Sequence, residues 1–479
     1  MRILHVAAEC YPAAKAGGLG DVAGALPKYL QNEGHDAAVI IPGYHLPWIL
    51  KHTWEERFEG MVRMGGVQVP FRILEVIDAD LGFTLFSVDV PGLFDRNGIY
   101  NDPETGYGYS DEVERYIVFQ QAVLKFVQHI GGIDILHCHD HHTGLIPFMV
   151  KYCPEYRNLN SIPTIFTIHN GQYHGAFAWD KAYLLPWYDA EARGLLEWSN
   201  WINPMAAAIK CCWRLTTVSN GYLEELQHNA NGLESLLRQE RMKSAGIVNG
   251  IDSEVWNPSA DPMIAKQLEH DVQAYKAVNK AVITSRFQVN PDLPLITFIG
   301  RLVYEKGADL LPEAIARFLY EGGQASFVVL GTGDPRIREA IVQLKHQFVN
   351  YFDTSIEYNE TLSHQLYAGS DFLVMPSRVE PCGLNQLYAF RYGTIPIVRT
   401  TGGLAETVRD ISEQDGNGLR FNDLTVEAIS NSFHRAAMLA NDADLLDHMR
   451  QHILNLDFSW EKATQHYIRI YQSLKIPTA

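Results

Sequence analysis

A carboxylate, a proline, a thiol and a glycine stand in a row at Glu380, Pro381, Cys382 and Gly383, followed by Leu384 and Asn385. They come directly after an apolar run, residues 371–376, that reads as a buried parallel strand. Proline cannot extend a strand ladder, glycine lets the backbone come close to a ligand, and Asn385 is expected to cap a helix beginning there. In open α/β sheets ligands collect at the carboxyl ends of the strands, which makes Glu380 the first candidate for chemistry on a bound small molecule.

Other strand ends carry cations and glycines. Lys15, Gly17, Gly18, Gly20 and Asp21 lie between a first strand and a helix expected from Val22. Glycines before a helix expose N–H groups to an anion, the helix dipole adds to the attraction, and Lys15 supplies a mobile positive charge. A plain strand-to-helix turn needs glycine too, and the stretch alone leaves both readings open. The spacing is neither the Gly-x-Gly-x-x-Gly dinucleotide fingerprint nor a P-loop. Arg301 and Lys306 place two cations on one loop after a strand, and Gly331 and Gly333 form a similar glycine-rich strand end. For Arg301 and Lys306 the plain alternative is a surface charge pair.

Residues 137–142 read His-Cys-His-Asp-His-His. Neighbouring side chains of a strand point to opposite faces, and no second Cys/His group stands at ligand spacing, so no metal site is expected. Asp140 is read either as a strand-end group that bonds ligand hydroxyls or as a local cap for a helix starting at His142. His169 and Asn170 end a further strand, where a histidine either meets a ligand or is a satisfied structural residue.

The elements that must hold these groups alternate regularly. Apolar runs expected as strands cover residues 3–7, 38–42, 83–90, 134–139, 164–169, 215–218 and 246–248, then 295–300, 326–331, 355–358, 372–376 and 395–399. Segments with three- and four-residue apolar spacing, expected as helices, include 22–33, 111–130, 306–322 and 335–349. Alternation of this kind implies parallel sheets with helices on both faces, and it runs twice, implying two doubly wound α/β domains facing each other across a cleft. The first domain is expected over residues 1–248, the second over 249–458, and a separate amphipathic helix over 459–479.

At 479 residues the chain suits two domains, and 47% apolar content supplies their cores. Lys plus Arg total 39 against 56 Asp plus Glu, a formal charge of −17, which excludes nucleic acid and anionic membranes as natural partners. An anionic substrate would need a few cations focused in one place. The six cysteines show no Cys-x-x-Cys pair, and neither a signal peptide nor a membrane span is legible, so a soluble cytoplasmic protein with free thiols is expected.

The two stretches around Lys15–Gly–Gly and Glu380-Pro-Cys-Gly-Leu resemble, in order and about one domain apart, the two signatures of the bacterial glycogen synthase and starch synthase family. The likeness extends over essentially the whole chain. It implies a GT-B architecture of two Rossmann-like domains whose last helix returns to the first domain. It also implies a retaining α-1,4-glucosyltransferase that moves glucose from a nucleotide donor, ADP-glucose foremost, to the non-reducing end of glycogen or a maltooligosaccharide.

By that resemblance Lys15, Gly17 and Gly18 contact the donor, while Glu9, Asp21 and Asp140 face the acceptor side. His169 approaches the transferred glucose, and Arg301 and Lys306 neutralise the diphosphate. Glu380 holds the sugar hydroxyls and supports positive charge on the ring. Asn249, Gly331, Gly333, Tyr358, Cys382, Gly383, Leu384, Thr401 and Gly402 complete the donor side, with Tyr358 offering its ring to the base. A wider set of retaining transferases carries a second glutamate eight positions after the first, where this chain has Tyr388. No cofactor is expected, and the Asp78-Ala79-Asp80 triplet is discounted as a metal motif. The alternatives are a UDP-glucose-dependent, sucrose synthase-like transferase and an inactive glucan-binding homologue.

Overall fold

The computed structural model describes residues 1–474; the remainder of the expected C-terminal helical segment, 475–479, lies outside the described residues. The chain divides into two compact units, each built on its own twisted sheet. Unit 1 comprises Met1–Val218, Leu223–Ile247 and the stretch from Trp460 onward; unit 2 comprises Ser219–Tyr222 and Val248–Ser459.

The strands of unit 1 are β1 (Arg2–Val6), β2 (Asp36–Pro42), β3 (Trp54–Met64), β4 (Val67–Val76), β5 (Thr84–Asp89), β6 (Ile135–His139), β7 (Thr164–Ile168), β8 (Glu197–Trp198), β9 (Trp201–Ile202), β10 (Arg214–Thr217) and β11 (Ser244–Gly246). Nine of them form one sheet in the order β11-β10-β7-β6-β1-β2-β5-β4-β3, while β8 and β9 pair separately. The pairings from β11 to β5 are parallel, and β3 and β4 add an antiparallel hairpin at the edge. That hairpin is absent from the sequence expectations. It is rich in charge, with Glu55, Glu56, Arg57, Glu59, Arg63, Arg72 and Glu75, and this dilutes the apolar-run signal.

Strand neighbours rather than sequence neighbours bring the functional groups together. The β1–β6 register sets His5 beside His137, and the β6–β7 register sets His139 beside Thr167. Helix Gly18–Asn32 follows β1 and buries Val22, Leu26, Tyr29 and Leu30. Helix Trp460–Ser473 packs against this helix, with Trp460 ring-stacked on Tyr29 and Tyr467, Ile468 and Tyr471 in the same core as Ile3, Ile135 and Ile165. Burying each such aromatic contributes about 1.5–3 kcal/mol, which ties the end of the chain to unit 1.

Unit 2 contains β12 (Leu295–Ile299), β13 (Ser326–Leu330), β14 (Phe352–Ser355), β15 (Phe372–Met375), β16 (Ile395–Arg399) and β17 (Leu419–Phe421), all parallel, in the order β14-β13-β12-β15-β16-β17. The order reverses beside β12, which places a topological switch point between the ends of β12 and β15. Two sequence expectations shift. The strand expected over 355–358 is β14, ending where that segment was to begin, because the apolar Phe352 rather than Ile356 enters the core. The helix expected from residue 306 begins at Leu311, after a single turn at Tyr304–Lys306 closed by Gly307 at φ +66°.

Candidate active site

In unit 2, Glu380 follows β15 and is nearly buried, and its carboxylate oxygens lie 2.7 and 2.6 Å from Lys306 Nζ. Ser377 Oγ donates to Glu380 Oε2 at 2.9 Å, so three groups from two adjacent strand ends are locked together. The loops are held at this spacing by glycine. A Cβ on Gly307 would meet the carbonyl oxygen of Pro376 at 2.0 Å, so the Lys306 loop and the β15 end touch through bare backbone. The Glu380 main-chain oxygen accepts from Gly403 N at 2.9 Å, at the start of helix Gly402–Thr407, whose first turn abuts Cys382. Thr401 is the residue before that helix and is buried, as is Cys382, whose thiol burial pushes up to about 12 and thereby keeps unreactive.

Asn385 does not cap its helix. The helix Asn385–Arg391 is preceded by Leu384, which offers no side-chain cap, and Asn385 Nδ2 instead donates to Ile299 O at 2.7 Å. The amide therefore clamps the end of β12 to the Glu380 loop. Gly383 adopts φ +75°, a conformation open to glycine, and lets the chain turn sharply before the helix. Tyr388, one turn on, stacks on Trp256 with ring centroids 3.7 Å apart, so a packing aromatic fills the position where a second carboxylate was to be sought.

The remaining expected donor-side residues in unit 2 sit on the same strand-end surface or near it. Arg301, just after β12, is exposed, and its guanidinium has no protein partner among the described residues. Gly331 and Gly333 follow β13; a Cβ on either would strike main-chain oxygens of the Arg301 loop, at Gly300 and Leu302 respectively. Tyr358 follows β14 and is 85% exposed. Asn249 is buried, and its side-chain oxygen has no hydrogen-bond partner, an acceptor left over in a polar-lined place. The sequence reading missed Ser377, although Ser-x-x-Glu spacing was visible, and also Arg378, which pairs bidentately with Asp309 and lies 3.4 Å from the centroid of the Tyr304 ring.

In unit 1 the Lys15 loop is tied down by Glu9. Glu9 Oε2 accepts from Ala16 N at 2.6 Å and Gly17 N at 2.8 Å, and Oε1 accepts from Tyr100 OH at 2.6 Å. Gly17 is the residue before helix Gly18–Asn32, and a Cβ on Gly18 would meet nothing within 4 Å. Lys15 Nζ pairs with Asp21 Oδ1 at 2.6 Å, joining two residues read separately from the sequence. Glu9 thus orients the N–H-bearing turn, while Lys15 and the open N–H groups of Gly18 and Leu19 are what the turn can offer an anion.

Asp140 ends β6 with φ +55° and ψ 176°, a backbone state that L-residues rarely occupy and that costs about 1–3 kcal/mol. Its carboxylate does not cap the following turn. Oδ1 accepts instead from His169 N at 2.8 Å and Asn170 N at 3.3 Å, welding the ends of β6 and β7. Burial raises the Asp140 carboxyl to about 6, with the two N–H donors and His141 pulling the other way.

The histidine stretch also differs from its sequence reading. His137 and His139 share one face of β6, and His5 joins them from β1, so nitrogens of the three rings lie within 4.8 Å of one another. Convergence is achieved by a strand 132 positions away in sequence, a partner that local spacing cannot reveal. All of these nitrogens but His5 Nε2 are already engaged, however. His137 bonds Tyr471 OH at 2.8 Å and Thr167 Oγ1 at 2.6 Å, and His139 bonds His5 at 3.1 Å and His169 at 2.9 Å. A metal there would have to break these bonds first. A second trio, Glu112, His141 and His142, likewise brings its ligand atoms within 4.8 Å of one another. Asp78 accepts from His52 and Thr53 N, which fixes a surface turn.

Comparison with known proteins identifies the family of the chain. The starch synthase catalytic domain family matches residues 2–239, and glycosyl transferases group 1 matches residues 280–450. A glycogen synthase of Flavobacterium johnsoniae is 45% identical over 474 residues, 98% of each chain, and one of Streptococcus sanguinis is 36% identical, covering 99% of this chain and all of the relative. Among solved structures, the catalytic domain of starch synthase IV from Arabidopsis thaliana, bound to ADP and acarbose, superposes with a TM-score of 0.84 at 29% identity, covering 99% of both chains. Both sheets, the order of the strand-end motifs and near-full-length identity lead to one assignment: this chain belongs to the glycogen synthase and starch synthase family of glycosyltransferases.

Proposed function

We propose that the chain is a retaining α-1,4-glucosyltransferase that transfers glucose from ADP-glucose to the non-reducing end of an α-glucan in the cytoplasm. The observation that carries this reading is the Lys306–Glu380–Ser377 cluster at the switch point of unit 2, flanked by Arg301, unpaired among the described residues, and by glycine-opened loops. A glucosyl group leaving a nucleoside diphosphate develops negative charge on the β-phosphate and positive charge on the sugar ring. Arg301 and Lys306 oppose the first charge and Glu380 the second, all preorganised before the reaction. The pairing of Lys306 with Glu380 holds the ammonium at the strand end, from where it can turn to phosphate when a donor enters.

In unit 1, Lys15 and the N–H groups opening helix Gly18–Asn32 suit the donor's anionic side, whereas Glu9, Asp21 and Asp140 suit hydroxyls of the sugars. His169 is held neutral, since burial lowers it to about 3, and so serves as a hydrogen-bond partner for the transferred glucose rather than as a base. Retention, with same-face attack by the acceptor's own hydroxyl, is what membership of this family implies, and Tyr388 in place of a second carboxylate argues against Glu380 being half of a glycosidase-type pair. No metal cofactor is required if these cations act. ADP as donor nucleotide is supported by the ADP bound to the starch synthase IV relative.

The test is transfer of labelled glucose from ADP-glucose and, separately, UDP-glucose onto glycogen and short maltooligosaccharides. Incorporation from ADP-glucose well above that from UDP-glucose supports the reading. A preference for UDP-glucose overturns the donor assignment, and no incorporation from either overturns the activity.

A further inference from the structure

Three imidazoles form an unbroken chain under the end of β7. His5 Nδ1 meets His139 Nε2 at 3.1 Å, and His139 Nδ1 meets His169 Nε2 at 2.9 Å. All three residues are at least nine-tenths buried, and among the described residues no carboxylate bonds any of the three rings. A neutral imidazole has one N–H and one lone pair. His139, bonded at both nitrogens, must therefore donate through one and accept through the other. The chain consequently has a direction. Because each link joins an Nδ1 to an Nε2, the three rings must carry their protons on the same-named nitrogen, all Nδ1 or all Nε2.

The two ends of the chain differ. His5 Nε2 is buried without a partner, and His169 Nδ1 makes no hydrogen bond among the described residues, while His169 retains 8% exposure. Elsewhere His169 is fixed through its main chain, by Asp140. The ring nitrogen left for a ligand is thus Nδ1, and whether it donates or accepts is decided two residues away.

We propose that His5 and His139 are positioning residues whose hydrogen bonds couple the tautomer of His169 to their own, so that its Nδ1 presents to the transferred sugar the role that the whole chain sets. The sugar contact rests on the function proposed above, whereas the tautomer coupling rests on geometry alone. Burial holds all three rings neutral, which the coupling requires, since a protonated ring would donate at both nitrogens and reverse part of the chain. His137 stands outside the chain: its ring lies 4.3 Å from that of His139 but bonds hydroxyls only.

Long-range proton–nitrogen NMR of the full-length protein, labelled at histidine nitrogen, reads each tautomer directly, with His5→Asn, His139→Gln and His169→Gln assigning the signals. One shared tautomer at His5, His139 and His169 is expected. Different tautomers among the three, or an imidazolium at any of them at neutral pH, would overturn the proposal. His5→Leu removes the terminal partner and should leave His169 sampling both tautomers, with kcat/KM for the nucleotide sugar falling about tenfold, the size of one mispaired neutral hydrogen bond. His5→Asn, whose amide reaches the Nδ1 position and can donate or accept, should restore most of that loss. Should His5→Leu fold poorly by circular dichroism, the wild-type tautomers still decide the matter. An active enzyme with unmatched tautomers defeats only this inference, and matched tautomers in an inactive protein defeat only the proposed function.

Discussion

Lys306 and Glu380 form a bidentate ion pair across two neighbouring strand ends of unit 2, with the ammonium 2.7 and 2.6 Å from the two carboxylate oxygens. Glu380 is the more deeply placed partner, its side chain 8% exposed against 28% for Lys306. Removing the lysine therefore strands a carboxylate that water reaches poorly, and removing the glutamate frees a lysine that water reaches well.

This asymmetry separates the two variants. Lys306→Ala should lower kcat/KM by about 2–4 kcal/mol in transition-state terms, as for other preorganised charge-stabilising groups. It should also lower stability by about 1–3 kcal/mol, through the unpaired Glu380. Glu380→Gln should abolish most turnover while leaving the melting temperature close to that of the parent. Steady-state kinetics and thermal unfolding read both; a Lys306→Ala enzyme with near-normal turnover would remove Lys306 from the chemistry.

Asp140 supplies a pH signature. Its folded carboxyl is raised to about 6 from an ordinary 3.8, so the fold disfavours its ionised form. Stability from this group is fully present below about pH 4 and is lost as pH rises through 6; the loss is at most about 3 kcal/mol. Asp140→Asn keeps an oxygen for the His169 and Asn170 N–H groups and cannot ionise. Its melting temperature relative to wild type should therefore rise between pH 4 and pH 7. A difference that is flat or falls over that range would contradict the burial argument.

Much of this was legible in the chain before any coordinates. Parallel strands bounded by glycine and polar residues announce themselves through apolar runs, so β1, β2, β6, β7, β12, β13, β15 and β16 were readable, and with them the strand-end positions of Glu380, Lys306 and His169. The β3–β4 hairpin was not, because an edge pair with one solvated face carries alternating charges instead of a run. Nor was His5, whose partnership with His139 depends on the sheet order β6-β1, a non-local fact. Asn385 misled for a related reason: its type suits a helix cap, yet a long-range carbonyl at Ile299 competes for its amide and wins.

The C-terminal helix offers a stability test. Tyr471 is fully buried and its hydroxyl meets His137 Nδ1 at 2.8 Å. Tyr471→Phe should cost about 1–2 kcal/mol by leaving that nitrogen unpaired. Trp460→Ala should cost about 3–5 kcal/mol through the cavity left beside Tyr29. Chemical denaturation of the full chain checks both, and equal, negligible effects would mean the helix does not support unit 1.

Charge neutralisation by side chains carries a consequence for metals. Turnover should survive exhaustive treatment with EDTA, and dialysed protein should hold no stoichiometric zinc. Activity lost to the chelator and restored by one divalent ion would instead return attention to His5, His137 and His139, or to Glu112, His141 and His142.

The most direct test of the account follows the transferred carbon itself. ADP-glucose labelled with carbon-13 at the anomeric position is incubated with a maltooligosaccharide, and the new linkage is read by NMR. The account predicts an α-1,4 bond at the non-reducing end, formed by the wild-type chain and lost with Glu380→Gln. A β-linked product, free glucose in place of transfer, or an α-1,4 product formed equally well by Glu380→Gln would contradict it.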